Sequence, residues 1–216
     1  MILSAREIRA AVRRRSIGLT PCPPDDSPRW TSTSVDLTLD AEIRVWKEDG
    51  NGGMQQTIDP SSRTWNANRL IERHTESCDC SDGFVLHGWT PESKASAGGR
   101  QCGVRFVLGW TVEKVRLPHT ARIAARVEGK SSLARIGLGI HVTAPTIHAG
   151  FGHVESNPDY EGSPIRLEIW NIGAFPILLQ KGMAICQLIF EEVHGTPDEG
   201  YVGQFSIQGP ESSEPE

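Results

Sequence analysis

The second half of the chain, from residue 104 to residue 193, consists of short apolar segments that glycine and proline interrupt. Segments of this length and spacing are typical of an all-β sandwich, jelly roll or barrel. Nearer the start, residues 34–39 alternate between polar and apolar types, which predicts a strand with one buried face. The sequence therefore predicts a mainly β fold, with strands expected at residues 34–39, 43–46, 84–86, 104–108, 111–115, 121–127, 139–142, 165–170 and 185–190.

The beginning of the chain is helical by pattern. Ser4 can cap a helix, and Glu7 follows three residues later, as in a capping box. Apolar residues recur behind this cap at helical spacing, namely Ile8, Ala11 and Val12. We expect a helix over residues 4–15 and an irregular segment over residues 20–33, where four prolines exclude regular helix and central strand.

Chain length and charge limit what the protein can be. At 216 residues it is expected to form one domain. Its 22 Lys+Arg and 27 Asp+Glu give a net charge of -5, so a nucleic-acid polymer is not an expected partner. No apolar run approaches the roughly 18 residues of a membrane span, and the first residues lack the apolar core of a signal peptide. The sequence thus indicates a cytoplasmic protein with no membrane partner, whose five cysteines stay as thiols.

Residues 128–135 carry the first candidate site, with the sequence Glu-Gly-Lys-Ser-Ser-Leu-Ala-Arg. A phosphate-binding P-loop needs a further glycine where Ala124 stands, so that interpretation is rejected. Ser131 can instead begin a short helix on which Arg135 faces the same way, so that a hydroxyl and a guanidinium converge on an anion. The alternative is a capping serine beside a surface arginine, which side-chain chemistry alone favours.

Residues 165–170 carry the second candidate site. In a strand, three apolar side chains share one face of this segment, and the opposite face carries Arg166, Glu168 and Trp170. An acid between a cation and an aromatic ring can serve as a tuned general base. Spacing alone favours the alternative, in which Glu168 is a solvent-facing carboxylate.

One histidine and three cysteines raise the question of zinc: His74, Cys78, Cys80 and Cys102. Zinc-dependent nucleobase deaminases use His-x-Glu and a distant Pro-Cys-x-x-Cys. Here two cysteines follow the histidine at once, one residue apart and without the proline, so that class is not indicated. A structural zinc site stays open as an alternative, while loop thiols without metal are the expectation.

Several segments, in their order along the chain, resemble the dCTP deaminases of the dCTP deaminase and dUTPase superfamily. The central one is Glu-Gly-Lys-Ser-Ser-Leu-Ala-Arg-Ile-Gly-Leu, residues 128–138, and His-Val-Thr-Ala follows it at residues 141–144. Further matches lie at residues 1–8, 34–37, 167–171 and 182–190. The resemblance is densest over residues 117–193.

This resemblance implies a distorted jelly roll or β-barrel of the dUTPase-like type with a few short helices. The chain is then a single domain over residues 1–208, with its core at 104–193, an insertion atypical of the family at about 54–103, and a flexible acidic tail at 209–216. The resemblance also implies a homotrimer with active sites at the subunit interfaces.

The activity that the resemblance implies is hydrolytic deamination of dCTP to dUTP and ammonia, without zinc. Glu168 would be the general base and proton shuttle, which is worth about 10²–10⁴ in rate. Ser131 and Arg135 would hold and polarise the water and the base, and the carbonyl group of Ala144 would position the water.

Nucleotide contacts are implied in the same way. Lys130, Ser132 and Gln187 would bind the triphosphate, from two subunits, and Mg²⁺ would be carried by the phosphates with few protein ligands of its own. Contacts to the rest of the nucleotide are expected from Thr143, His148 and Gln208. dTTP is an expected inhibitor.

The chain departs from the family pattern at three places. Members usually read Ile-Asp-Pro-Gly-Phe where residues 147–151 place His148 instead of the aspartate. An insertion follows at residues 153–163, and its Asp-Tyr-Glu-Gly segment at 159–162 also resembles a dUTPase motif. Near the end, a usual lysine and tyrosine are replaced by Gln204 and Phe205.

These departures leave two alternatives open. The first is a dUTP diphosphatase or a bifunctional deaminase and diphosphatase. The aspartate that His148 replaces holds the sugar and the hydrolytic water in the dUTPase relatives, so its absence argues against diphosphate cleavage. The second is a nucleotide sensor without turnover, which the joint presence of Ser131, Arg135 and Glu168 disfavours.

Overall fold

A computed structural model describes residues 1–47, 57–88, 104–140, 144–203 and 205–208. The described residues form helices α1 (Ala5–Arg13), α2 (Ala67–His74) and α3 (Ser131–Ala134). The strands are β1 (Gly18–Thr20), β2 (Val35–Trp46), β3 (Thr75–Asp79), β4 (Phe84–Leu86), β5 (Phe106–Arg116), β6 (Ile123–Gly129), β7 (Leu138–Ile140), β8 (Thr146–Ile147), β9 (Ser163–Asn171), β10 (Ile177–Leu179) and β11 (Ala184–Glu192). The prediction of a mainly β fold with a few short helices is confirmed.

Most strands belong to one antiparallel sheet of nine strands. Its order is β7-β9-β5-β2-β11-β6-β8, with β1 paired to β5 and β3 paired to β2. β4 and β10 form a separate two-stranded sheet. Apart from β2 and β3, neighbouring strands of this sheet are not consecutive in sequence, so the site described below is assembled from remote parts of the chain.

Strand β2 joins the two halves of the large sheet. Its beginning pairs with β11, and its end pairs with β3 and β5. The register with β5 shifts between Leu39 and Ile43, where the strand changes neighbours. Strands that pass from one sheet to another commonly turn at such irregularities. The expectation of two separate strands at 34–39 and 43–46 was therefore wrong, because one strand runs through both segments and only its register with β5 shifts between them.

Strand β5 corrects a second expectation, that Gly109 separates two strands. The strand runs through this glycine without interruption. A Cβ atom at Gly109 would lie 2.9 Å from Cδ1 of Ile169 and 3.1 Å from Cδ1 of Leu39. The glycine is thus explained by close packing in the core and not by a turn.

The core is built from buried side chains of the sheet strands together with those of α1. Ser4 caps this helix, its Oγ accepting a hydrogen bond from the Glu7 amide at 3.4 Å, and Ile8 and Ala11 point into the core. Ile43, Leu167 and Phe190 are fully buried members from three different strands. No helix in the described part of the chain is long and apolar enough to span a bilayer. The cytoplasmic location stays a prediction.

A fully buried carboxylate, that of Glu113 on β5, lies beside this core. It accepts hydrogen bonds from the amide of Thr38 at 2.8 Å and from its hydroxyl at 2.9 Å. The guanidinium of Arg29 pairs with the same carboxylate and also donates to the carbonyl oxygen of Asp36. This arrangement satisfies the buried charge and attaches the proline-rich segment 20–33 to β2 and β5.

We predict that Glu113→Gln destabilises the protein by about 3 to 5 kcal/mol, because the change leaves the Arg29 guanidinium without its buried partner. Equilibrium unfolding in urea measures the difference. Glu161→Gln is the matched control, because Glu161 pairs with Lys114 at 3.1 Å on the surface, where both side chains are about half exposed. Surface pairs contribute at most about 1 kcal/mol. Equal losses in the two variants would contradict the structural role of Glu113.

Candidate active site

Strand β9 places two charged side chains on one face. Its residues alternate between buried and partly exposed, so Ile165, Leu167 and Ile169 enter the core while Arg166 and Glu168 point away from it. Both of the latter line a cavity of about 470 Å³. The faces predicted for this segment are therefore those that the structure has. Because β9 is held between β5 and β7, Glu168 is mounted on a rigid element.

The walls of the cavity come from separate parts of the chain. Apolar side chains dominate them, and their contributors include Trp46, Trp65, Leu70, Phe106, Leu108, Phe151, Tyr201 and Phe205. Polar groups are few: Thr146, His148, Arg166, Glu168 and Gln208. A mostly apolar pocket with a few convergent polar groups is the usual form of a small-molecule site.

The aromatic neighbour expected for Glu168 was Trp170, and the structure corrects this. Trp170 does not line the cavity. Its ring lies against the backbone of β7, where a Cβ atom on Gly139 would come within 1.9 Å of it. The apolar wall comes instead from Trp46 and Trp65, together with α2. Sequence spacing offered no signal for this, because both tryptophans are remote from β9.

Arg166 has an unusual environment for a cation. Its guanidinium carbon lies 4.2 Å from the ring centroid of Trp110, which stands directly opposite on β5 and is 3% exposed. Burial lowers the pKa of the Arg166 guanidinium, with Arg44 acting in the same direction, while the charges of Glu168, Glu42 and Glu72 raise it. The side chain is thus a partly desolvated cation beside Glu168.

The last described residues lie over the start of β9. The amide of Arg166 donates to Oε1 of Gln208 at 3.0 Å, and the amide of Gln208 donates to Oγ of Ser163 at 3.1 Å. Gln208, a predicted nucleotide contact, therefore borders the same cavity as Glu168.

Ala144 and His148 also reach the cavity, as expected from the sequence, whereas Thr143 lies outside the described residues. The His148 ring is 5.1 Å from that of Tyr201. Asp159 is exposed and does not border the cavity. Of these two residues, His148 thus lines the cavity that contains Glu168 and Asp159 does not.

A second group of predicted residues lies where β6 ends. Nζ of Lys130 pairs with the carboxylate of Asp36. Gln187 accepts from the hydroxyl of Ser34 at 2.8 Å and donates to the carbonyl oxygen of Gly129 at 3.2 Å. Lys130 and Gln187 are therefore held near one another by β2, β6 and β11.

Helix α3, four residues long, follows directly and is exposed. It carries Ser131 and Ser132, and Arg135 caps its end. None of these residues, and neither Lys130 nor Gln187, lines the cavity that contains Glu168. Within one chain, the predicted site residues thus fall into two separate groups.

The alternative zinc site finds no support in the part of the chain that is described. Those residues contain no group of three or more His, Cys, Asp or Glu able to hold a metal, and Cys102 lies outside them. Cys80 is buried, and its thiol donates to the carbonyl oxygen of Asp40 at 3.2 Å. Burial raises the pKa of both the Cys78 and the Cys80 thiol, which disfavours the thiolate that zinc requires.

Comparison with known proteins identifies relatives over almost the whole chain. A family model described as dCTP deaminase-like matches residues 103–193. A dCTP deaminase, dUMP-forming, of Beutenbergia cavernae is 34% identical over 99% of this chain and 94% of its own. The protein of the same name from Mycolicibacterium gilvum is 38% identical over 87% of this chain and 78% of its own. A dCTP deaminase of Rhodospirillum rubrum is 32% identical over 93% of this chain and 87% of its own.

The fold also has a solved counterpart, the 2'-deoxycytidine 5'-triphosphate deaminase of Agrobacterium tumefaciens. The TM-score is 0.58 at 22% identity, over 89% of this chain. The present chain spans about half the length of that one, 48%. The sequence similarity to the Beutenbergia cavernae protein extends over nearly the full length of that chain and of this one. This protein therefore belongs to the dCTP deaminase family.

Proposed function

We propose that the protein deaminates dCTP hydrolytically to dUTP and ammonia, with Glu168 as general base and without zinc. The observation that carries the proposal is the position of Glu168 on a rigid strand, facing a largely apolar cavity in a member of the dCTP deaminase family. A carboxylate so placed can exchange protons with a bound base while most of the solvent is excluded.

The proposed reaction adds water to C4 of cytosine. Glu168 accepts one proton from the attacking water and delivers it to N3, which gives a tetrahedral intermediate with a hydroxyl group and an amino group on C4. The remaining hydroxyl proton then passes through Glu168 to the amino group. The bond between C4 and the exocyclic amino nitrogen breaks, ammonia leaves, and the C4 carbonyl group of uracil forms. The backbone carbonyl group of Ala144, at the cavity, is proposed to orient the water.

The second group of residues is proposed to bind the triphosphate. Lys130 supplies a cation, and Ser132 and Gln187 supply hydrogen-bond donors, at a place that β2, β6 and β11 hold together. Mg²⁺ enters as part of the nucleotide, bound to its phosphates. dTTP shares the triphosphate and is proposed to compete for the same residues.

Ser131 and Arg135 can contribute to the active site that contains Glu168 only if another subunit provides them. They are assigned to the water and the base, yet they do not border the cavity of their own chain. A homotrimer in which α3 of one subunit faces the Glu168 cavity of the next would bring them together. We therefore propose active sites at the interfaces of a homotrimer.

Cleavage of dUTP to dUMP is a second candidate function. It is favoured by the names of the relatives from Beutenbergia cavernae and Mycolicibacterium gilvum, which are both described as dUMP-forming. It is disfavoured by His148, which borders the cavity where a carboxylate would serve to hold the hydrolytic water. A neutral imidazole can also act as a base, so the product formed from dCTP, either dUTP or dUMP, decides between the two candidate functions.

We expect Glu168→Gln to lower kcat for dCTP by about 10²- to 10⁴-fold, since the amide that replaces the carboxylate cannot accept and return protons. Ammonia release measures the rate, and calorimetry should show that dCTP still binds. Glu161→Gln, on the surface, is the control and should be as active as the wild type. A Glu168→Gln rate equal to that of the wild type would contradict the assignment of the base.

The products of a dCTP incubation, separated by ion-exchange chromatography, test the end point of the reaction. We expect dUTP to accumulate without dUMP, because His148 replaces the carboxylate that would hold the second water. Formation of dUMP would favour the bifunctional candidate. In that case His148→Ala should reveal, by loss of dUMP alone, whether the imidazole has taken over the second step.

Mixed trimers test the shared sites. We expect Glu168→Gln and Arg135→Ala to be inactive separately and to recover about a quarter of the wild-type activity when equal amounts are unfolded and refolded together, because that fraction of random interfaces has both side chains intact. Activity that stays at zero after mixing, while gel filtration shows intact mixed trimers, would place each site within one subunit.

A further inference from the structure

Arg166 is the charged residue of the cavity that the proposed mechanism does not use. It precedes Glu168 by two residues on the same face of β9, which places their Cα atoms about 7 Å apart along the strand. Both side chains line the same cavity. A cation is therefore present at a fixed separation from the proposed general base.

The position of the guanidinium is constrained on two sides. It lies over the ring of Trp110, which is itself almost completely buried. The backbone at this residue is fixed by its amide hydrogen bond to Gln208 and by the pairing of β9 with β5. A guanidinium over an aromatic ring keeps its N–H donors available at its edges. These donors are thus held in place before any ligand binds.

Within the described part of the chain, this guanidinium contacts the Trp110 ring, and no residue there accepts a hydrogen bond from it or pairs with it within 4 Å. Other arginines differ. Nη1 of Arg44 donates to the hydroxyl of Thr75 at 3.4 Å, and its Nε lies 3.5 Å from a carboxylate oxygen of Glu42. Arg29 pairs with Glu113. A partly desolvated cation without an acceptor is costly, unless a ligand provides the acceptor.

A pyrimidine deoxynucleotide provides such acceptors within reach of the Arg166 side chain. With C4 of cytosine at Glu168, this side chain starts about 7 Å further along β9 and is long enough to reach the opposite edge of the ring or the sugar. The candidate acceptors there are the carbonyl oxygen on C2 of the base and the 3'-hydroxyl oxygen of the sugar. Both are neutral oxygen atoms that accept from an N–H group.

We infer that Arg166 binds the nucleoside part of the substrate, donating from its guanidinium to a neutral oxygen of the base or sugar, and that it thereby determines which nucleotides are accepted. This inference rests on the proposed function, because it takes cytosine C4 to lie at Glu168. The contact is made in the ground state and in the transition state alike, so it acts on KM more than on kcat.

The first test is Arg166→Met, which keeps the length and apolar bulk of the side chain and removes its donors. KM for dCTP should rise about 10- to 100-fold while kcat changes less than about threefold, as expected for a lost hydrogen bond from a charged donor. Arg166→Lys should give an intermediate KM, because it keeps the charge without the planar fork. Arg122→Met is the matched control, because this partly buried arginine donates to the carbonyl oxygen of Val193 at 3.3 Å and does not line the cavity, and the change should leave KM unchanged.

Two substrate analogues identify the oxygen that Arg166 contacts. 2',3'-Dideoxycytidine triphosphate lacks the 3'-hydroxyl, and 2-thio-dCTP has a poor acceptor at C2. The wild type should bind one of them more weakly than dCTP, and Arg166→Met should no longer distinguish that analogue from dCTP. If Arg166→Met retains the full preference of the wild type in both comparisons, the guanidinium does not contact the nucleoside and the inference is wrong.

Binding to the inactive Glu168→Gln protein separates this inference from the proposed function. Calorimetry with dCTP should show the same 10- to 100-fold weakening when Arg166→Met is added. If the wild type deaminates dCTP but Arg166→Met does not weaken dCTP binding, the inference alone is wrong. The same holds if Arg166→Met impairs only the assembly of the trimer. Inactivity of the wild type towards dCTP would overturn the proposed function instead. Should Arg166→Met fail to fold, Arg166→Lys and Arg166→Gln are compared in the same way.

Discussion

The buried carboxylate of Glu113 is the interaction on which the arrangement of this molecule most depends. It has no exposure to solvent, so its charge must be satisfied by the protein, and Thr38 and Arg29 do so. Arg29 extends the arrangement to the backbone of Asp36, whose side chain in turn holds Lys130. One buried charge therefore fixes the irregular segment at 20–33, the start of β2 and the cation that we assign to the triphosphate. The stability of the core and the geometry of the phosphate residues are consequently linked.

Local patterns allowed part of the fold to be predicted. The alternation along β9 was sufficient to assign its core side chains and the face of Glu168, because a strand has a side-chain period of two whatever its neighbours are. The cap at Ser4 likewise indicated α1. What could not be predicted was the continuity of β2 and β5. The register shift within β2 and the glycine that makes room for Ile169 both depend on partner strands, which a single sequence does not reveal.

The residues of the candidate site were likewise predictable only in part. Glu168, Ala144, His148 and Gln208 were expected to contribute and all border one cavity. Trp170 was the aromatic neighbour that the sequence suggested for Glu168, and Trp46 and Trp65, both remote from β9 in sequence, line the cavity instead. Arg166 was noted only as a neighbour of Glu168. Its significance arises from Trp110 on another strand, and no local pattern could have indicated that pair.

Strand β9 also bears on how this protein can change during evolution. The same nine residues supply core side chains on one face and the cavity's charged groups on the other. Inserting or deleting a single residue within the strand would exchange the faces, placing Arg166 and Glu168 in the core and their apolar neighbours in the cavity. Changes of length are therefore tolerated only outside the strand. The segment at 153–163, which the sequence predicts to be an insertion relative to the family, ends where β9 begins, so added residues there would leave the register of the strand intact.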